Sequence, residues 1–177
     1  MACWNVIDHQ EFSGAAAHYE KTSIPSTYDH LLFMASARTD NSAWYDFVEF
    51  EFNGDTGTDY SSIFTQAFVA GASGVGTSYG TDYTHGGQVA GGSAGADIFG
   101  QVEIWIPNYA DTVHHKQAFM KYALPTNSST DSQWAIGMAT SSWHSTAAIN
   151  AFKYQVYGGT DDFVQYSTFT LIGIKGV

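Results

Sequence analysis

Glu49 and Glu51 are the nearest approach to a paired-carboxylate site in this sequence. Two residues apart on a strand, they would share one face about 7 Å from each other. No basic partner or cleft-forming segment accompanies them, so they read as a solvated strand face. His114 and His115 are adjacent, and on a strand adjacent side chains point to opposite faces, which prevents them from holding one ion together. The run Asn53-Gly54-Asp55-Thr56-Gly57-Thr58-Asp59 offers oxygen ligands but lacks the glycine and distal glutamate of an EF-hand loop. It reads as a turn capped by its own side chains. Ser73 lies among glycines without the G-x-S-x-G spacing of a nucleophile elbow; Gly91-Gly92-Ser93-Ala94-Gly95 has that spacing but lies in the same glycine-rich loop rather than at a strand-to-helix turn. Gly74, Gly76 and Gly80 miss the dinucleotide fingerprint, and no helix follows to hold a pyrophosphate. With no nucleophile, base and orienting group together, the sequence predicts a protein without catalysis or cofactor.

The aromatic residues offer a different chemistry. Trp44, Trp105, Trp134 and Trp143 fall in or beside strand-like segments, and Trp105 alternates against Ile104 and Ile106. Rings on the face away from the aliphatic residues serve protein interfaces and sugar-stacking platforms; rings packed under a loop are the other possibility. The candidate interface or glycan contacts are therefore Trp105, Trp134, Trp143, Tyr79 and Tyr83, with Asp55 and Asp59 to supply hydrogen bonds or hold a calcium ion.

These residues need a frame, and the frame is strands. Val48, Phe50 and Phe52 alternate with Phe47, Glu49, Glu51 and Asn53 over Asp46 to Asn53, the period of a half-buried antiparallel strand. His30 to Arg38 has the same pattern and is expected to pair with it through the turn Thr39 to Ser42. Further strands are predicted at Trp4–Phe12, Ala17–Ser23, Ser61–Val69, Ile98–Ile106, Lys116–Leu124, Gln133–Ser141, Ile149–Tyr157 and Phe163–Lys175. About ten short strands punctuated by turn clusters such as Asn53-Gly54-Asp55, Asn127-Ser128-Ser129 and Gly158-Gly159 predict an all-β antiparallel sandwich of jelly-roll type. Pro25, Pro107 and Pro125 sit at strand ends, where a missing N–H costs no ladder bond. Ala70 to Ala96, rich in Gly, Ser and Thr, reads as a long loop: an exposed arm that orders against a neighbour, or a plain connector.

Composition narrows the partners. At 177 residues the chain suits one domain with its own core. A net charge of −11 and a single arginine, Arg38, argue against nucleic acid, whose binding needs clustered cations, and against anionic membranes. Cys3 is the lone cysteine and is expected as a small buried hydrophobe. The segment from Met1 to Phe12 has neither a basic nor a long apolar run, so no signal peptide is expected, and no stretch reaches the roughly 20 apolar residues of a membrane span.

Several stretches carry a resemblance. They are Thr22-Ser23-Ile24-Pro25-Ser26-Thr27-Tyr28-Asp29-His30-Leu31, Ala37-Arg38-Thr39-Asp40, Phe52-Asn53-Gly54-Asp55-Thr56-Gly57, Asn108-Tyr109-Ala110, Ser142-Trp143 through Ala147-Ala148-Ile149, and the closing run from Phe163 to Gly176. In this order they resemble small virion proteins of marine tailed phages, and they span essentially the whole chain. The resemblance implies a β-sandwich virion component and supplies no catalytic residue. The compact size, absent chemistry, acidic surface and long middle loop make the first expectation a capsid decoration or cement protein that binds the major capsid shell as a homo-oligomer, taken as a trimer. The alternative is a tail-fibre or head-fibre module that grips a host glycan. The glycine-rich middle and the scarcity of Lys and Arg depart from the pattern and leave capsid or tail open.

Overall fold

The computed structural model describes residues 3–68, 73–124 and 134–176. The Asn127–Ser129 turn and Pro125 lie outside them. Twelve strands are found among the described residues: β1 (Cys3–Glu11), β2 (His18–Lys21), β3 (His30–Ala37), β4 (Tyr45–Phe52), β5 (Tyr60–Phe68), β6 (Ser73–Thr81), β7 (Thr84–Ala90), β8 (Gly100–Pro107), β9 (Lys116–Leu124), β10 (Ala135–Trp143), β11 (Phe152–Val156) and β12 (Thr168–Lys175). They form two antiparallel sheets, an eight-stranded one ordered β1-β12-β3-β8-β9-β10-β5-β6 and a four-stranded one ordered β2-β11-β4-β7. With β5–β6 and β9–β10 set aside, β1-β12-β3-β8 over β2-β11-β4-β7 is the strand order of an eight-stranded jelly roll. The two extra strand pairs both join the same sheet, beyond β8, and double its width.

The ten strands legible from alternation are all present. His30 to Ala37 does not pair with Tyr45 to Phe52, however: β3 lies between β12 and β8 in the large sheet, and β4 between β11 and β7 in the small one. The intervening turn crosses between layers, because both strands carry apolar faces that must meet across the core. That core is aromatic. Phe33 sits 4.8 Å from Phe152 and 4.9 Å from Tyr154, and Tyr154 stacks on Phe163 at 5.9 Å. Removing one such ring costs about 3–5 kcal/mol.

The expected 70–96 loop is the main correction. Among the described residues most of it is β6 and β7, joined through Asp82 and Tyr83, and Gly91 to Phe99 is irregular before β8. Glycine ordinarily weakens a strand, but here it makes room. The ring of Phe64 lies across Gly76, its register partner, so that a Cβ there would meet it at 2.1 Å. Tyr122 lies across its own partner Gly137 in the same way, at 2.4 Å. In β7 a bulge opposite Val48 and Glu49 places Gly87 at φ +104° and sets Gly86 so close to β4 that a Cβ there would meet the Val48 carbonyl oxygen at 2.7 Å. The remaining loop is held by Arg38, whose guanidinium donates to the carbonyls of Gly92, Ala94, Gly95 and Ile98. Cys3 is exposed on the edge strand β1 rather than buried.

Candidate binding surface

The outward side chains of the eight-stranded sheet align in rows across it. One row runs Val6, Ile172, Leu32, Trp105, Phe119, Thr140, Ile63, Thr77, and the next His9, Thr170, Met34, Glu103, Lys121, Met138, Thr65, Val75. Trp4, Val6, Met34, Ile63, Val75, Tyr79, Phe119, Trp134, Ile136 and Met138, all large and exposed, belong to this face. Single exposed apolar residues are unremarkable, but a contiguous field of them marks a contact surface.

Among the described residues the face from β8 to β6 carries only Glu103 and Lys121 as formal charges, directly opposite each other and paired at 3.0 Å. The net charge of −11 therefore resides elsewhere, with acidic residues on the turns, on β1 and on the small sheet. The sheet curls about its outward side into an open trough of ≈ 750 Å³ reaching from Thr168 and Thr170 on β12 to Ser73 on β6. Met34, Ile136 and Met138 supply its apolar walls, with Gln101, Thr65 and the threonines of β12 between them.

Three of the seven candidate contacts share this face. Trp105 is half-buried with its ring 5.1 Å from His30, Trp134 is 39% exposed, and Tyr79 is 83% exposed near the β6 edge. The other four do not join them. Trp143 faces inward and is buried; its indole N–H donates to Asp55 Oδ2 at 2.7 Å, and the Gly57 N–H donates to Asp55 Oδ1 at 2.8 Å. Asp55 is thus a structural acceptor beneath the β4–β5 turn, and Asp59 is exposed further along that turn. Tyr83 pairs edge-on with Tyr157, the two hydroxyls 3.1 Å apart. The methionines and isoleucines of the trough were not singled out from sequence. Their signal was there: Phe119 beside Met120, and Ile136 and Met138 interleaved with Ala135 and Ala139, make strands apolar on both faces.

Glu49 and Glu51 do alternate away from the core, but they are buried rather than solvated. Gln155 Nε2 donates to Glu49 at 2.6 Å and Lys153 Nζ to Glu51 at 3.2 Å. Burial pushes the Glu49 carboxyl up to about 6, and burial likewise raises Asp46 to about 6. His114 is exposed and contacts Asp111. Among the described residues no cluster of three or more His, Cys, Asp or Glu is placed to hold a metal ion, and no helix is long and apolar enough to cross a membrane.

A second polar group lies between the sheets. The His85 ring packs 4.2 Å from Phe64 and 6.3 Å from Tyr122, and its Nδ1 accepts the Gly87 N–H at 3.1 Å. Its Nε2 has no hydrogen-bond partner among the described residues. Burial drives the imidazole down to about 4, so the ring is neutral. Beside it Gln66 Oε1 accepts from Gln88 Nε2 at 2.9 Å and from the Tyr122 hydroxyl at 3.1 Å.

No protein-family model matches the chain, and no curated protein sequence matches it. Among solved structures, the alginate lyase Aly36B, as a mutant bound to alginate tetrasaccharide, is similar over 85% of this chain and 70% of its own, with 12% identity and a TM-score of 0.27. A toad ovary galectin bound to thio-digalactose is similar over 80% of this chain and 100% of its own, with 8% identity and a TM-score of 0.26. Likenesses at this level carry no argument about function.

Proposed function

We propose that this chain is a non-catalytic structural protein of a phage particle, a decoration protein that docks on the major capsid shell through the outward face of its eight-stranded sheet. One observation carries the docking half of the reading: a strongly acidic chain keeps a broad, exposed, apolar face whose only charges from β8 to β6, among the described residues, neutralise each other. Such a face gains free energy at roughly 25 cal/mol per Å² of apolar area removed from water. Methionine at its centre suits a protein partner, because the unbranched thioether side chain adapts to an irregular surface. The phage setting rests on the sequence resemblance.

Re-addition tests both halves. Shells stripped of the chain by mild denaturant are mixed with wild-type protein or with an Ile136→Asp, Met138→Asp variant, and the pelleted fraction is measured. Wild type cosediments, and the variant binds at least roughly tenfold more weakly, since each aspartate must be desolvated against the shell. Equal binding by the variant removes this face from the reading, and failure of wild type to bind removes the shell.

The second reading is a glycan-binding fibre module, favoured by Trp134 exposed on the same face and by the hydroxyl and amide side chains within the trough. A glycan array with wild type and Trp134→Ala separates the two: reproducible hits lost in the variant select the glycan.

A further inference from the structure

The edges of the two sheets are not alike. β1 is broken by the register shift between Val6 and Asp8 and carries Asp8, His9 and Glu11. β2 is four residues long and carries Glu20 and Lys21. β7 is kinked by its bulge, and its end is bridged by Arg38 at Ala90. Bulges, charges and short length are the devices by which proteins keep foreign strands from adding to an edge. From Ser73 to Tyr79 β6 has none of them. Over that span it runs in unbroken register against β5, the bulge at Gly80 lying beyond, and contains neither a charged residue nor a proline. On its free side no strand among the described residues pairs with the N–H and C=O groups of alternate residues.

We propose that β6 is the seam of a two-fold homodimer in which Ser73–Tyr79 of two copies pair antiparallel about Gly76. The sequence of the strand is what selects a second copy as the occupant. Pairing about Gly76 sets Val75 opposite Thr77 of the second copy, Ser73 opposite its Tyr79, and Gly74 opposite its Ser78. These are β-branched, aromatic–hydroxyl and small–small pairs, with no like charges facing. Two copies of a −11 chain repel where their acidic turns and charged edges meet; an uncharged edge strand is where they can approach. On the inward side Phe64 covers Gly76, and the facing glycine brings no Cβ to obstruct that ring. An isologous seam consumes both copies of the edge, and the protected β1 edges at the far ends stop further growth. The seam is two-fold, in place of the trimer expected from sequence, and it joins the two trough-bearing faces into one. It does not depend on docking to a shell.

The test uses the full chain alone, without particles, by sedimentation velocity and native mass spectrometry across a wide concentration range. Wild type forms a dimer. Val75→Lys with Thr77→Lys is monomeric, as is Val75→Glu with Thr77→Glu, each dissociation constant rising by at least roughly tenfold. An equimolar mixture of the two variants restores a dimer, because every lysine then faces a glutamate. Hydrogen exchange on wild type is independent of the variants: β6 amides are protected at high concentration and exchange freely on dilution, while β1 amides do not change. Monomeric wild type, trimers or open polymers, variants that dimerise like wild type, a mixture that stays monomeric, or concentration-independent exchange in β6 would each overturn the seam.

Discussion

Replacing His85 with glutamine should raise stability relative to wild type on the acid side of the profile. The imidazole is enclosed by Phe64 and Tyr122 and is held down to about 4 by burial, whereas in the unfolded chain it titrates near 6.5. Between those values the unfolded state binds a proton that the folded state refuses, so stability falls as pH falls from about 6.5 to about 4. At about 1.4 kcal/mol per pH unit of displacement, the loss reaches about 3 kcal/mol by pH 4. Glu49 and Asp46 act in the opposite sense: with folded values raised to about 6, they take up protons first in the folded state and add stability as pH drops from about 6 toward their unfolded values near 4. The wild-type profile is therefore shallow, and only a comparison exposes the histidine. His85→Gln keeps an acceptor for the Gly87 N–H and removes the titration. Urea denaturation of both proteins at pH 7, 6, 5 and 4 should give a stability difference that moves by about 3 kcal/mol in favour of the variant toward the acid end. The offset at pH 7 reports packing and tests nothing. Parallel profiles over the whole range would refute the neutral, enclosed imidazole.

Three further outcomes follow from packing. Gly137→Ala drives a Cβ to within 2.4 Å of the Tyr122 ring and should cost about 1–3 kcal/mol, read by urea midpoint; Gly14→Ala, with nothing within 4 Å, is the matched control. Arg38→Met leaves four carbonyl groups of the 92–98 loop without their donor and should cost about 2–4 kcal/mol, with fast hydrogen exchange appearing in that loop first. Trp143→Phe keeps most of the ring but leaves Asp55 Oδ2 without the indole N–H, and should cost about 1–3 kcal/mol, with loss of protection at the Gly57 amide.

Period-two alternation was enough to locate ten strands, because a strand with one buried face writes its burial into the sequence. It could not tell β3 that its neighbours are β8 and β12, since pairing across sheets depends on which turns cross the core. β6 and β7 were invisible for a related reason. Gly76 and Gly86 look like loop residues until the Phe64 ring and the Val48 backbone that require them are in place. The tryptophans divide on the same point. Alternation says that Trp105 and Ile104 face opposite ways, but it does not say that Trp143 is the inward member of its strand. Glu49 and Glu51 were placed on the correct face and assigned the wrong solvation, because Gln155 and Lys153 come from a strand about a hundred residues later.

The interleaving of the inserted pairs sets an order of assembly. In the large sheet β5 leans on β10, not on β8, although β10 is made long after it. A chain elongating from its first residue thus holds a finished β5–β6 ribbon with no platform to dock on until β9 and β10 arrive. During that interval the unguarded β6 edge is at its most reachable, which makes slow synthesis through β8 and β9 the stage at which a chaperone, or a neighbouring nascent copy, would meet it.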